Sequence, residues 1–260
     1  MFHYMEYPID RSSGDVASLV RAFELLKCFT PWITELSNSA LAEQTGLAKS
    51  TVSRLTGTLL RLGYLRQSGR AYRLGPAVLT LGYAALANVR AREVARPHMQ
   101  SFAEATQTLV SLATRDRLSM IYLENCRSVA NMIQRIHVGT QLPLATTSIG
   151  RAYLAGAPAA ERESLLEQLA MNHGSAWPTQ RDSLTREWQR YADHGYCLSL
   201  GEWEKGTNAA ATPLTDPQGE ELLVLSVGGP AFSVTARQLE DDLAPRLVAL
   251  ARHVEALLER

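Results

Sequence analysis

Apolar residues recur at helical spacing from Val16 to Phe29, at Val16, Leu19, Val20, Phe23, Leu26 and Cys28. Asp15 is placed to cap this helix, and Pro31 breaks the pattern. Two shorter helices are predicted next. Ser37, Asn38 or Ser39 can cap the first, Leu41 and Ala42 face inward, and Gly46 ends it, since glycine accepts a left-handed C-terminal conformation. Residues 48–62 form the second, with Val52, Leu55, Leu59, Leu60 and Leu62 on one face and Gly63 as its stop. Tyr64-Leu65-Arg66 and Ala71-Tyr72-Arg73-Leu74 alternate around Ser68-Gly69, which predicts a hairpin. Residues 77–96 read as a further helix, rich in Ala and Leu, ending before Pro97.

From residue 98 the texture changes. A helix at His98–Thr106 leads to strands at Leu109–Thr114 and Met120–Cys126, joined by the polar turn Arg115-Asp116-Arg117. Residues 129–137 are a further strand candidate, and Gly139–Leu144 reads as a loop. Helices are expected at Ser148–Ala155, Pro158–Leu169 and Leu184–His194, with a polar stretch at Asn172–Asp182. Tyr196–Leu200 and Asn208–Leu214 are weaker strands, Asp216-Pro217-Gln218-Gly219 is a turn, and Leu222–Val227 is the strongest strand. A last amphipathic helix spans Thr235 to Leu258. Strands mixed with helices and partly hairpin-linked indicate an α+β domain. The organisation expected is a flexible arm (1–15), a small helical domain with a two-stranded ribbon (16–75), a linker helix (76–96) and an α+β domain (97–260).

Composition changes this picture little, but charge changes it more. The 260 residues suggest about two domains. No run of 18 apolar residues occurs, so a membrane-spanning helix is not expected. Residues 1–18 carry Glu6, Asp10 and Asp15 and lack the apolar core of a signal peptide. Cys28, Cys126 and Cys197 are widely spaced, with no metal-ligand spacing, and suit a reducing cytoplasm. The net charge of zero conceals a split. Residues 1–92 hold 11 Lys and Arg against 6 Asp and Glu, whereas residues 93–260 hold 15 against 20. No acid lies between Glu43 and Glu93, a window that holds Lys49, Arg54, Arg61, Arg66, Arg70, Arg73, Arg90 and Arg92. A basic lobe joined to an acidic one points to a polyanion-binding module attached to something else.

The segment Ser39–Leu60, SALAEQTGLAKSTVSRLTGTLL, supplies the chemistry. Ala42 permits close helix approach, Gly46 makes the turn, Leu47 fills the space between helices, and Val52 and Leu55 anchor the second helix. Lys49, Ser50, Thr51, Ser53 and Arg54 then point outward near that helix's N-terminus. They are donors suited to phosphates and base edges, where a recognition helix meets the major groove and its positive dipole end favours phosphate. The ribbon YLRQSGRAYRL suits the wing of a winged helix-turn-helix. Arg66, Arg70 and Arg73 could straddle the DNA backbone, with Arg70 at the tip.

Three separated blocks, in order, give the chain a resemblance to the IclR-type bacterial transcriptional regulators. They are SLVRAFELLKCF with LAEQTGLAKSTVSRLTGTLLRLGYLRQ and YRLGPAVLTLG; LPLATTSIGRAYLAG; and GYCLSLGEWEKGTNAAATPL with LSVGGP. The resemblance implies an N-terminal winged helix-turn-helix, a linker helix and a C-terminal effector-binding domain related to the GAF and PAS folds. It implies dimers or dimers of dimers on palindromic operators, and a small organic acid as effector. It also implies that Thr147, Ser148 and Ile149, at a helix start, offer donors to a ligand carboxylate, which agrees with the anion preference of helix N-termini. Met132 and Leu142 would be apolar wall, and Ser199, Leu200, Ala209 and Ser226 the opposite side. The chain departs from the pattern where family members carry Cys (here Ala209), often an acid (near Ser199–Leu200) and Ser (here Gly228). Those losses imply an enlarged cavity and a more apolar effector such as an aromatic carboxylate. Arg151 reads as a surface or inter-subunit residue.

Catalytic signatures are absent: there is no Gly-x-Ser-x-Gly elbow, phosphate loop or zinc motif. No catalytic residue, metal ligand or cofactor is therefore expected, and Cys126 and Cys197, in strand-like apolar surroundings, read as inert thiols. Two other readings compete with a ligand-responsive DNA-binding regulator. One is a cytoplasmic GAF-like binding protein or enzyme whose N-terminal lobe only dimerises. The other is an architectural DNA-binder with no effector.

Overall fold

The computed structural model describes residues 14–128, 136–216 and 222–260. Most of the strand candidate at 129–137, most of the turn after Asp216, most of the arm before Val16 and the wall residue Met132 lie outside these. The described chain divides between Asn88 and Val89 into two compact units.

The first unit opens with α1 (Ala17–Lys27), whose N-cap is Val16, without a side-chain cap, rather than Asp15. After β1 (Leu36–Ser37) come α2 (Asn38–Thr45) and α3 (Lys49–Arg61), then β2 (Leu65–Ser68), β3 (Ala71–Leu74) and α4 (Ala77–Ala87). The Ser37 hydroxyl accepts from the Ala40 N–H and caps α2, and Gly46 closes it at φ 67°. The three strands form one antiparallel sheet in the order β1-β3-β2. The core is Leu25, Phe29, Leu36, Leu41, Val52, Leu59 and Leu65. Sequence periodicity misassigned four apolar positions, because Val16, Leu19, Phe23 and Leu62 are all more than half exposed. Thr56 takes the inward place instead, its hydroxyl donating to the Val52 carbonyl at 2.9 Å.

The expected linker helix 77–96 is two helices. α4 ends at Ala87, and α5 (Arg90–Thr106) starts a new one that runs through Pro97. Proline's fixed φ is helical, and burial of Ala91, Ala95, Met99, Phe102 and Ala103 along one face outweighs its missing hydrogen bond.

In the second unit a six-stranded antiparallel sheet follows the order β6-β5-β4-β9-β8-β7. Its strands are β4 (Leu109–Asp116), β5 (Ser119–Arg127), β6 (Gln141–Pro143), β7 (Cys197–Leu200), β8 (Thr207–Thr215) and β9 (Leu222–Pro230). The stretch expected to be a loop at 139–144 thus supplies edge strand β6, where Pro143 is tolerated. α6 (Ser148–Gly156) packs on the sheet at β7, β8 and β9. α5 and the terminal helix α10 (Ala244–Leu258), which follows the short α9 (Ala236–Gln238), also pack on it. α7 (Ala159–His173) and α8 (Trp177–His194) complete the unit, and α8 begins inside the stretch expected to be polar and irregular. Trp177 and Leu184, both buried, seat it in the core.

Candidate DNA-binding face and effector cavity

The recognition-helix candidate is α3. Lys49, Ser50, Ser53 and Arg54 are exposed along it, and Thr51 is half-buried beside Val52, which is fully buried. Ala48, the N-cap, supplies no side-chain acceptor, and the first-turn N–H groups have no intrahelical partner. The Ser53 hydroxyl accepts a 2.9 Å bond from the Asn38 amide, tying the start of α2 to α3. Sequence reasoning offered Asn38 only as one of three candidate caps for α2; Ser37 is the cap, and Asn38 reaches α3 instead.

The three arginines of the ribbon are not equivalent. Arg66 and Arg73 are register partners on β2 and β3, while Arg70 lies at the exposed turn between them. Arg73, expected to meet the DNA backbone, is ion-paired with Glu35, which also accepts a 3.0 Å bond from Ser68. The Arg73 bond, followed by that of Ser68, holds the Glu35 carboxyl below its ordinary value. Two like charges directly opposite across strands repel, and Glu35 neutralises one of them.

In the second unit a cavity of about 40 Å³ lies between α6 and the sheet. Leu142, Thr147, Ser148, Ile149, Ser199, Ala209 and Ser226, all singled out from sequence, line it. Leu200 does not, being on the outward side of β7 and 39% exposed. Thr147 caps α6, accepting from the Gly150 N–H at 3.2 Å, and its own hydroxyl donates to the Pro143 carbonyl at 2.7 Å. That leaves the Ser148 and Ile149 N–H groups in the helix's first turn, without intrahelical acceptors. Gly150 lets this turn sit tightly against the preceding chain, since a Cβ there would lie 2.0 Å from the Leu144 carbonyl oxygen.

The far wall carries hydroxyls that sequence reasoning missed. Tyr122 is buried and hydrogen-bonded to Ser111 and Ser226, and burial drives its phenol well above the ordinary value, so it stays neutral. Ser111, itself bonded to the Asn125 amide at 2.6 Å, was legible as a polar interruption in an apolar strand, as Ser226 was. Trp203 and Thr207 close one side. Ala209 and Gly228 are cross-strand partners that both line the cavity, and a Cβ on Gly228 would lie 2.9 Å from that of Ala209.

Arg151 corrects another expectation. It is 1% exposed, and its guanidinium is ion-paired with Glu202 and bonded to the Ser183 hydroxyl at 2.9 Å and the Leu198 carbonyl at 2.8 Å. The Cys126 and Cys197 thiols are buried, and burial raises both, Cys126 to about 11. Among the described residues no group of three or more His, Cys, Asp or Glu could hold a metal ion, and no helix is long and apolar enough to cross a membrane.

Comparison with known proteins accounts for both units. The model for the IclR helix-turn-helix domain matches residues 18–69, and that for the bacterial transcriptional regulator IclR C-terminal domain matches residues 83–256. The chain is 33% identical over 251 residues to the HTH-type transcriptional regulator TsaQ1/TsaQ2 of Comamonas testosteroni, covering 95% of this chain and 90% of that protein. An IclR family transcriptional regulator from Brucella abortus has a similar structure, with a TM-score of 0.82 and 42% identity over 97% of this chain and 96% of that one. An IclR homologue from Microbacterium hydrocarbonoxydans, solved with 4-hydroxybenzoate, shares the fold (TM-score 0.75, 23% identity, 93% and 99% covered). The winged helix-turn-helix and the α+β domain are therefore those of one family, and the chain belongs to the IclR-type bacterial transcriptional regulators.

Proposed function

We propose that the protein binds operator DNA through the Lys49–Arg54 face and the ribbon tip, and that a small organic acid in the α6 cavity modulates this binding. One observation carries the effector half: the uncapped Ser148 and Ile149 N–H groups of α6 border a cavity lined by hydroxyls. A helix N-terminus attracts a carboxylate, and the neutral Tyr122, Ser111 and Ser226 groups suit a polar substituent at the other end. Size is set by space. A volume of about 40 Å³ holds roughly three water-sized centres, which matches a two- or three-carbon acid. An aromatic acid requires the Trp203 wall to give way; 4-hydroxybenzoate is bound by the Microbacterium homologue, which shares the fold.

The protein acts as a cytoplasmic regulator rather than an enzyme, and works as a dimer or a dimer of dimers on a palindromic double-stranded operator. Two recognition helices then read half-sites about 34 Å apart, and the acid shifts their register with a coupling of about 1–3 kcal/mol. The test is a gel shift on the DNA upstream of its own gene, with calorimetry against glyoxylate, pyruvate, benzoate and 4-hydroxybenzoate. Shifting that one of these acids alters is expected. Arg54→Ala or Lys49→Ala should weaken the shift and leave acid binding intact. Failure to shift any promoter fragment overturns the DNA reading; no heat with any acid overturns the effector reading.

A further inference from the structure

The Arg151–Glu202 pair ties α6 to the loop between β7 and β8. Arg151 lies on α6 just after the anion-binding turn, Thr147 to Ile149. Glu202 lies in the loop 201–206 that closes the β7–β8 hairpin, and its neighbour Trp203 is a cavity wall. The loop reverses at two glycines, Gly201 (φ 70°) and Gly206 (φ 88°), and the Gly201 N–H donates to the Thr207 carbonyl at 2.9 Å. The Gly206 carbonyl accepts from the Ala231 N–H at 2.7 Å, which ties the far end of the loop to the end of β9, and Trp203 packs against the core of this unit. The Thr207 N–H donates to the Glu204 carbonyl at 3.0 Å, within the loop itself. Both Glu202 oxygens are engaged by Arg151, one at 2.8 Å, and one also accepts from the Ser183 hydroxyl of α8 at 2.9 Å. The guanidinium is held in turn by the Leu198 carbonyl. A two-pronged bond of this kind fixes direction as well as distance.

The partners differ in exposure. The Arg151 side chain is 1% exposed and that of Glu202 is 42% exposed. Arg151 therefore stays in place and Glu202, with its loop, is the part that can leave. We propose that Arg151 and Glu202 are positioning residues that latch Trp203 over the α6 turn, so that this pair fixes the size of acid the cavity admits. The inference rests on the effector reading above for its ligand, but the position of Trp203 can be measured without any ligand.

The first experiment is acrylamide quenching of the Trp203 fluorescence, taken as the difference between each full-length protein and its Trp203→Phe counterpart. Glu202→Gln, which keeps the shape and loses the charge, should raise the quenching of Trp203 toward that of an open indole. Glu202→Asp should restore part of the protection, and Glu204→Gln, at an exposed carboxylate in the same loop, should change nothing. A purely structural role would lower the melting temperature without changing Trp203. The second experiment is calorimetry on the same variants. Pyruvate binding should weaken about tenfold in Glu202→Gln, while 4-hydroxybenzoate should bind at least as well as to the parent. Unchanged Trp203 quenching in Glu202→Gln overturns the latch. Changed quenching with no acid bound by any protein upholds the latch and overturns the effector reading instead.

Discussion

Glu35 gives the ribbon an unequal grip. It neutralises Arg73 and leaves Arg66 and Arg70 exposed. Phosphate contacts add to the salt dependence of binding. Arg70→Ala should therefore lower operator affinity and reduce the salt slope by about one, whereas Arg73→Ala should leave the slope almost unchanged. Equal slopes for the two variants would remove the distinction. The Glu35 carboxyl is held below its ordinary value of 4.5. A depressed carboxyl stabilises the fold above that value and loses the contribution as pH falls through its lower folded midpoint. A carbon-detected titration of Glu35 should show a midpoint under 4.5, returning toward 4.5 in Arg73→Ala. Neither the pair nor the buried place of Arg151 could be read from sequence, because each depends on residues 38 and 51 positions apart in the chain. Thr147, Ser148 and Ser226 were legible, since a polar residue at a helix start or inside an apolar strand stands out against its surroundings.

Among the elements, helix and strand periodicity located α2, α3, the ribbon and β9 closely. It erred where tertiary packing outweighs local preference, as at Pro97 inside α5 and at the start of α8, where Trp177 supplies burial that polar neighbours concealed. It also placed Leu19, Phe23 and Leu62 inward, because an apolar stripe does not say what covers it. The position of α6 depends on Gly150, whose missing side chain admits the Leu144 carbonyl. Gly150→Ala should destabilise the protein by more than about 2 kcal/mol, since backbone must move. It should also abolish acid binding in protein that remains folded, as measured by denaturant unfolding and calorimetry. A fully stable variant that binds acid would show that the close approach is dispensable.

For the whole molecule, the opposed charges of the two halves were visible in the sequence, and their boundary near residue 92 falls close to the division at Asn88 and Val89. α4 lies just before that division. It has 11 residues, and in the single chain none is buried, with Leu79 73% and Tyr83 74% exposed. A helix this short is marginal by itself in water, so its coil-to-helix balance should report whether another surface lies against it. Far-ultraviolet circular dichroism across a dilution series should show ellipticity at 222 nm weakening as the protein is diluted, in step with loss of mass by light scattering. Constant ellipticity through a measured dissociation would mean that α4 holds its shape unaided.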